Sequence, residues 1–393
     1  MFRTFKSENL ILWRQVWGLA ALLAAIVLCF NAYGFYQPKI LAGLGFTQLS
    51  AILVILQGLF AAILEPLVGG FSDRILRRVG SRLPQISVGV TLTGLIFALL
   101  SWLLSGNIPE GLRWIVPVLM MVWVMSTIVF RGPAIALLIQ FAPLDQLPQA
   151  SSIIVLVLGL VAAANPLLVL LLERMGATPT FLCGAIALLL GAFCLYSQTP
   201  QHRVAPFPTS KSQPISLQRL VLLFLIGFAA GFESNILFGI FCPILSESFP
   251  ATNSGIIGAI ILAISALSAN LWGDFVTQYR PNHSMQSALG AMALLMGLTL
   301  LIGRSTLIHL VTIFALGLAF GLAFTATIPL ALSSVPTARA GLGTGIYFGG
   351  SGAGLALFSL WMQQARIVPI AGAMAGASAF FVARFCLQRL NRL

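Results

Sequence analysis

Five charged residues, Asp73, Arg74, Arg77, Arg78 and Arg82, crowd one short string, PLVGGFSDRILRRVGSRLPQISVG from Pro66 to Gly89, in a chain otherwise nearly without charge. A carboxylate among guanidinium groups accepts charge-assisted hydrogen bonds, and it also favourably meets the amino terminus of another helix. The string lies in a tight turn between two long apolar segments, where basic charge marks the cytoplasmic face of a membrane. Two roles follow: a conformational latch built on Asp73 with Arg74, Arg77 and Arg78, and a topology signal. One string can serve both.

Three further charges fall inside apolar segments: Glu65, Arg131 and Glu233. A charged side chain at the centre of a membrane helix costs about 2.5–3.5 kcal/mol on insertion scales, so a retained one is a functional candidate. At a rise of about 1.5 Å per residue, Glu65 and Arg131 lie at similar depths in parallel-running spans. Arg131 is therefore expected to pair with Glu65 or Asp73, either as a static lock or as a gate remade during a conformational cycle. Glu233, in GFESNILFG, has Asn235 beside it and Asn31 at the corresponding place in the first half. It could bind and release a proton or other cation, hydrogen-bond a solute, or bond a neighbouring helix.

The elements that must position these residues are membrane helices. With 59% hydrophobic and 8% charged residues over 393 positions, and a mean hydropathy of +1.01, the chain cannot be a soluble globule, since soluble domains carry about 25% charged residues. Runs long enough to span about 30 Å of hydrocarbon fall near 16–40, 47–71, 84–105, 114–139, 149–172, 178–196, 218–244, 253–275, 284–303, 306–331, 341–363 and 366–386. The fold class expected is an all-α polytopic membrane protein of twelve helices in two pseudo-repeated six-helix bundles. Their bounds are 1–196 and 218–393, with a Pro- and Ser-rich linker at 197–217.

The net charge of +12 is explained by basic residues in cytoplasmic loops rather than by nucleic acid. With the amino terminus inside, most of the 21 Lys and Arg residues, including Arg3, Lys6, Arg203, Lys211 and the Asp73 cluster, fall on the cytoplasmic side, leaving Lys39, Arg113, Arg174, Arg304 and Arg366 outside. Both termini are thus expected in the cytoplasm. The amino-terminal segment reads as a span and not as a cleaved signal. Short loops fit a bacterial-type inner membrane. Cys29, Cys183, Cys194, Cys242 and Cys386 sit in spans without metal-ligand spacing and read as packing residues.

Three echoes recur in the same order in the two halves. GFYQPKIL from Gly34 matches GIFCPIL from Gly239, Asp73 matches Asp274 a little over one span later, and PAIAL from Pro133 matches PLAL from Pro329. Repeats related by an axis along the membrane normal can rock about a pathway between them.

Pro66 to Gly89 resembles the loop between helices two and three of the major facilitator superfamily, Gly-x-x-x-Asp-Arg followed by clustered basic residues. Gly69, Asp73, Arg74, Arg77 and Arg78 match it, and the twelve-helix layout extends the resemblance to the whole chain. The wider string, with Gly80, Arg82, Pro84 and Gly89, is most similar to the sugar/cation symporter branch. Span four departs from that branch: Gly132 and Pro133 match, but Ile135 and Ile139 stand where its Arg and Asp would be.

The resemblance implies a solute path lined by spans one, four, seven and ten. Candidates on it are Asn31, Tyr33, Tyr36 and Gln37, then Trp123 and Thr127, which share one helical face with Arg131, then Glu233 and Asn235. Aromatic rings beside amides suit a sugar, and equally fill helix interfaces. Gly-rich span eleven, GLGTGIYFGGSGAG from Gly341, lacks the Lys-Ser/Thr ending of a phosphate loop and reads as close helix packing. The function implied is secondary active transport of a small polar solute by alternating access with proton or other cation coupling, a sugar being the first expectation. The alternatives are an efflux carrier for amphipathic compounds and a membrane assembly or pigment-handling factor of the same fold. No enzyme, cofactor, metal site or nucleic-acid partner is expected; the lipid bilayer is.

Overall fold

The computed structural model describes residues 10–106, 108–199, 215–301, 305–364 and 368–392. Most of the expected linker, at 200–214, lies outside them, as do Arg3, Lys6, Arg203, Lys211, Arg304 and Arg366. The long helices are α1 (Trp13–Gly43), α2 (Leu49–Val79), α3 (Leu83–Leu104), α4 (Ile115–Ala136), α5 (Leu147–Ala163 with Asn165–Met175), α6 (Ala177–Gln198), α7 (Leu217–Ile236), α8 (Ser254–Tyr279), α9 (Pro281–Leu301), α10 (Thr306–Ser333), α11 (Ala340–Gln364) and α12 (Pro369–Leu390). Backbone groups have no water to bond in hydrocarbon, so helices that satisfy them internally are what such a sequence can form.

Two spans differ from the uninterrupted helices expected. α5 bends by 52° at Ala164, where Pro166, in the first turn of the second segment, has no N–H to continue the ladder. α7 passes into a wide π turn over Leu237–Phe241 and resumes as Cys242–Ser246. Pro243 follows that turn, and the extra residue relieves the clash a proline ring makes with the preceding turn.

Among the described residues ten helices are each long and apolar enough to cross a membrane, and the bent α5 makes an eleventh. α11 has spanning length but is not in that set. Gly, Ser and Thr take the places of larger apolar side chains, and the physical reason is its position. Wedged between α2 and α7, α11 presents glycine to both. A Cβ on Gly345 would fall on the Glu65 carbonyl of α2, and one on Gly350 on the Phe224 carbonyl of α7. The α2–α11 contact runs from Gly58 against Ala356 to Gly69 against Gly341, about 16 Å of helix.

Buried apolar side chains fall in two clusters. One draws on residues from Ile11 to Leu195, joined by Ile328, Leu332 and Ala340; the other runs from Leu222 to Leu390. Phe348 of α11 packs against both. Helices α2, α4 and α5 meet α8, α10 and α11 between the clusters. Ser151 Oγ donates to the Thr325 carbonyl, Ser152 Oγ to Asn270 Oδ1, and Gln149 Nε2 to Asp274 Oδ1 at 3.1 Å.

Candidate functional site

Asp73 lies near the end of the buried face of α2, and its carboxylate is shared by two partners. Oδ1 accepts from Arg82 Nη2 at 2.6 Å and from the Gly341 amide at 2.9 Å; Oδ2 accepts from the Leu342 amide at 2.8 Å. Gly341 and Leu342 lie in the first turn of α11, whose amides have no partner within the helix, so the carboxylate meets both free donors and the positive end of the helix dipole. Arg82 is fully buried and also donates to the Ala136 carbonyl at the end of α4. Burial works against its charge and Asp73 supports it. Gly69 lies one turn before Asp73, where only its missing side chain lets Gly341 approach. Arg74, Arg77 and Arg78 are exposed and form no ion pair with Asp73.

A second ion pair lies further along α2. Arg131 Nη2 donates to Glu65 Oε1, with Glu65 almost fully buried and Arg131 30% exposed. The guanidinium also lies 5.8 Å from the Phe348 ring centre of α11. Arg131 opens onto a cavity of about 350 Å³, lined with it by Gln57, Asn235 and Ser351 among apolar groups that include Phe30, Val124, Ile128 and Leu355. The walls come from α1, α2 and α4 on one side and α7 and α11 on the other.

The family model described as Major Facilitator Superfamily matches residues 129–359, more than half of the chain and across both apolar clusters. The chain belongs to the Major Facilitator Superfamily. This facilitator is accordingly a secondary transporter of a small molecule, an integral membrane protein and not an enzyme. It is similar in fold to a bacterial homologue of the iron transporter ferroportin in the outward-facing state, at 14% identity and a TM-score of 0.75, covering 98% of this chain and 100% of that one. It is also similar to the human organic anion transporter MFSD10 (TETRAN), at 16% identity and 0.66, covering 96% and 99%. The comparison with curated proteins finds no match.

Within this facilitator fold the candidate path residues separate. Asn235 and Arg131 line the cavity; Asn235 anchors there by donating to the Gly231 carbonyl. Tyr33 and Trp123 are core: the indole is stacked between the Tyr33 and Phe97 rings, at 5.0 and 4.3 Å, and is fully buried. Tyr33 reaches the cavity wall only through Gln57, whose amide donates to its hydroxyl at 2.9 Å. Tyr36 donates to the Leu172 carbonyl of α5, and Thr127 to the Trp123 carbonyl within its own helix. Gln37 is buried and Asn31 half-buried, neither among the cavity's lining residues.

Glu233 is fully buried in α7, away from the cavity lining, with neither carboxylate oxygen hydrogen-bonded. Sequence reasoning missed three groups. Arg82 was readable only as one basic residue among several, while Gln57 and Ser351 look like ordinary polar interruptions of apolar helices. A signal for Arg82 did exist: it is the cation nearest the start of α3, where the chain turns back onto α2.

Proposed function

We propose that this transporter moves a small polar solute by alternating access, with residues 1–196 and 218–393 as the rocking units and 197–217 as their linker. The observation that carries this reading is the cavity walled by α1, α2 and α4 on one side and α7 and α11 on the other, together with the Asp73 carboxylate bound to the first turn of α11 at one end of the same α2–α11 contact. Opening that end would break the Asp73 bonds and part the glycine-lined contact, so Asp73, Gly69 and Arg82 act as its latch. Arg74, Arg77 and Arg78, exposed beside it, set the turn on the cytoplasmic side. Both termini then lie in the cytoplasm, and the membrane is a bacterial-type inner membrane.

Coupling to a proton is assigned to Glu233, a buried carboxyl with no hydrogen-bonded partner for either oxygen. A sugar-like cargo rests on the helix 2–3 string alone. The apolar share of the cavity lining supports the second reading, a carrier for amphipathic compounds. Among the described residues no group of three His, Cys, Asp or Glu could hold an ion, so the iron of the ferroportin homologue is not proposed as cargo here.

The test is solute-induced proton flux in vesicles containing the purified protein, across sugars, nucleosides and amphipathic compounds, with Glu233→Gln alongside. A flux lost in that variant supports coupled transport through Glu233. A folded protein that moves none of these solutes counts against the reading and toward an assembly factor.

A further inference from the structure

We propose that the cavity at Arg131 is a carboxylate site, and that the transported solute is an amphipathic organic monoanion whose carboxylate binds the exposed part of the Arg131 guanidinium in competition with the buried Glu65. This rests on the reading of the cavity as the solute site and adds the chemical class of the solute.

Among the described residues, Arg131 is the single ionisable one in the cavity lining. Its counter-ion is hidden: Glu65 keeps 1% of its side-chain exposure against 30% for Arg131, so a solute entering the cavity meets the cation and not the acid. The internal contact is made through Nη2, and 30% of the Arg131 side chain stays exposed. A guanidinium carries five N–H donors in a planar fork matched to a carboxylate, so this group has capacity left and its preferred acceptor is already demonstrated by Glu65.

The surroundings suit such a ligand and no anion of high charge. Asn235 and Ser351 stand on the opposite wall as neutral polar groups, while Phe30, Val124, Ile128 and Leu355 offer apolar surface for a hydrocarbon body. A volume of about 350 Å³ lies at the small end of the ligand-pocket range, about 300–1,000 Å³. Because Arg131 is paired with Glu65 on α2 and faces Phe348 on α11, a carboxylate bound to the guanidinium bears on the Arg131–Phe348 contact between the two sets of helices. The solute thereby reaches the element that must move.

The experiment is thermal unfolding of the full chain in lipid nanodiscs, titrated with benzoate, hexanoate and 4-phenylbutyrate and with the primary amide of each. Saturable stabilisation by at least one carboxylate, with its amide weaker by about tenfold or more, is the expected result. Glu65→Gln, which removes the internal competitor, should tighten that carboxylate's binding. Arg131→Gln alone risks leaving Glu65 buried without a partner, so the double variant Glu65→Gln with Arg131→Gln replaces the ion pair by a neutral one and should abolish carboxylate binding in a folded protein. Equal binding of acids and amides, no stabilisation by any of the acids, or undiminished binding to the folded double variant overturns the proposal. Binding is read without flux, so a protein that binds carboxylates but transports nothing removes the transport reading alone. One that transports neutral solutes and ignores carboxylates removes the anion site alone.

Discussion

Asp73 and Arg82 form a fully buried ion pair at 2.6 Å, and the carboxylate of that pair also binds the first turn of α11, a helix more than 260 residues away in the chain. One side chain thus holds a turn within the first six helices and a contact with the second six. The two roles differ in consequence: the ion pair shapes a single turn, while the bonds to α11 must break whenever that end of the molecule opens.

Replacing Asp73 with Asn leaves Arg82 as a buried cation without a counter-charge, and should cost about 3–5 kcal/mol of stability. Thermal unfolding of the purified protein checks this. Asp73→Asn combined with Arg82→Gln should lose clearly less than the two single losses added together, because the buried charge is gone from both sides. Additive losses would mean that the two residues act separately.

The corresponding acid in the second half should behave differently. Asp274 is exposed and accepts only the Gln149 amide among the described contacts. Asp274→Asn should stay within about 0.5 kcal/mol of the parent protein, as surface substitutions do. A loss comparable with that of Asp73→Asn would show a buried partnership in solution.

The two glycine faces of α11 should separate conformational from folding effects. Gly350 faces α7, which belongs with α11 to the same half, so Gly350→Ala should cost about 1–3 kcal/mol through overpacking. Gly345 faces Glu65 on α2 across the halves, where the helices can part, so Gly345→Ala should shift the molecule toward an arrangement with α2 and α11 separated. Unfolding temperature and alkylation of a cysteine placed at Ser72 read the two effects. Equal loss of stability in both variants, with no change in alkylation, contradicts the distinction.

Trp123 should prove a core residue. Trp123→Ala should destabilise by about 3–5 kcal/mol, and Trp123→Phe should leave the apparent affinity for a transported solute unchanged while lowering stability. A change in affinity with stability preserved would put the indole on the solute path, against its full burial between Tyr33 and Phe97.

The sequence by itself determined the class of molecule. Charge depletion, near-continuous apolar runs and the Asp73 string require a polytopic helical membrane protein, because hydrocarbon excludes any backbone that cannot bond itself. It also narrowed the partner of Arg131 to two acids, since depth along a helix follows from counting residues. Depth does not yield azimuth: which face of α4 points to α2, and which of α1 to the core, depends on how neighbouring helices pack. Apolar residues surround these helices on nearly every side, so the pattern carries little directional information. Tertiary structure therefore decided that Trp123 and Tyr33 stack inside the core, that Asn235 reaches the cavity while Glu233, two residues away, does not, and that Arg82, rather than its exposed neighbours, holds Asp73.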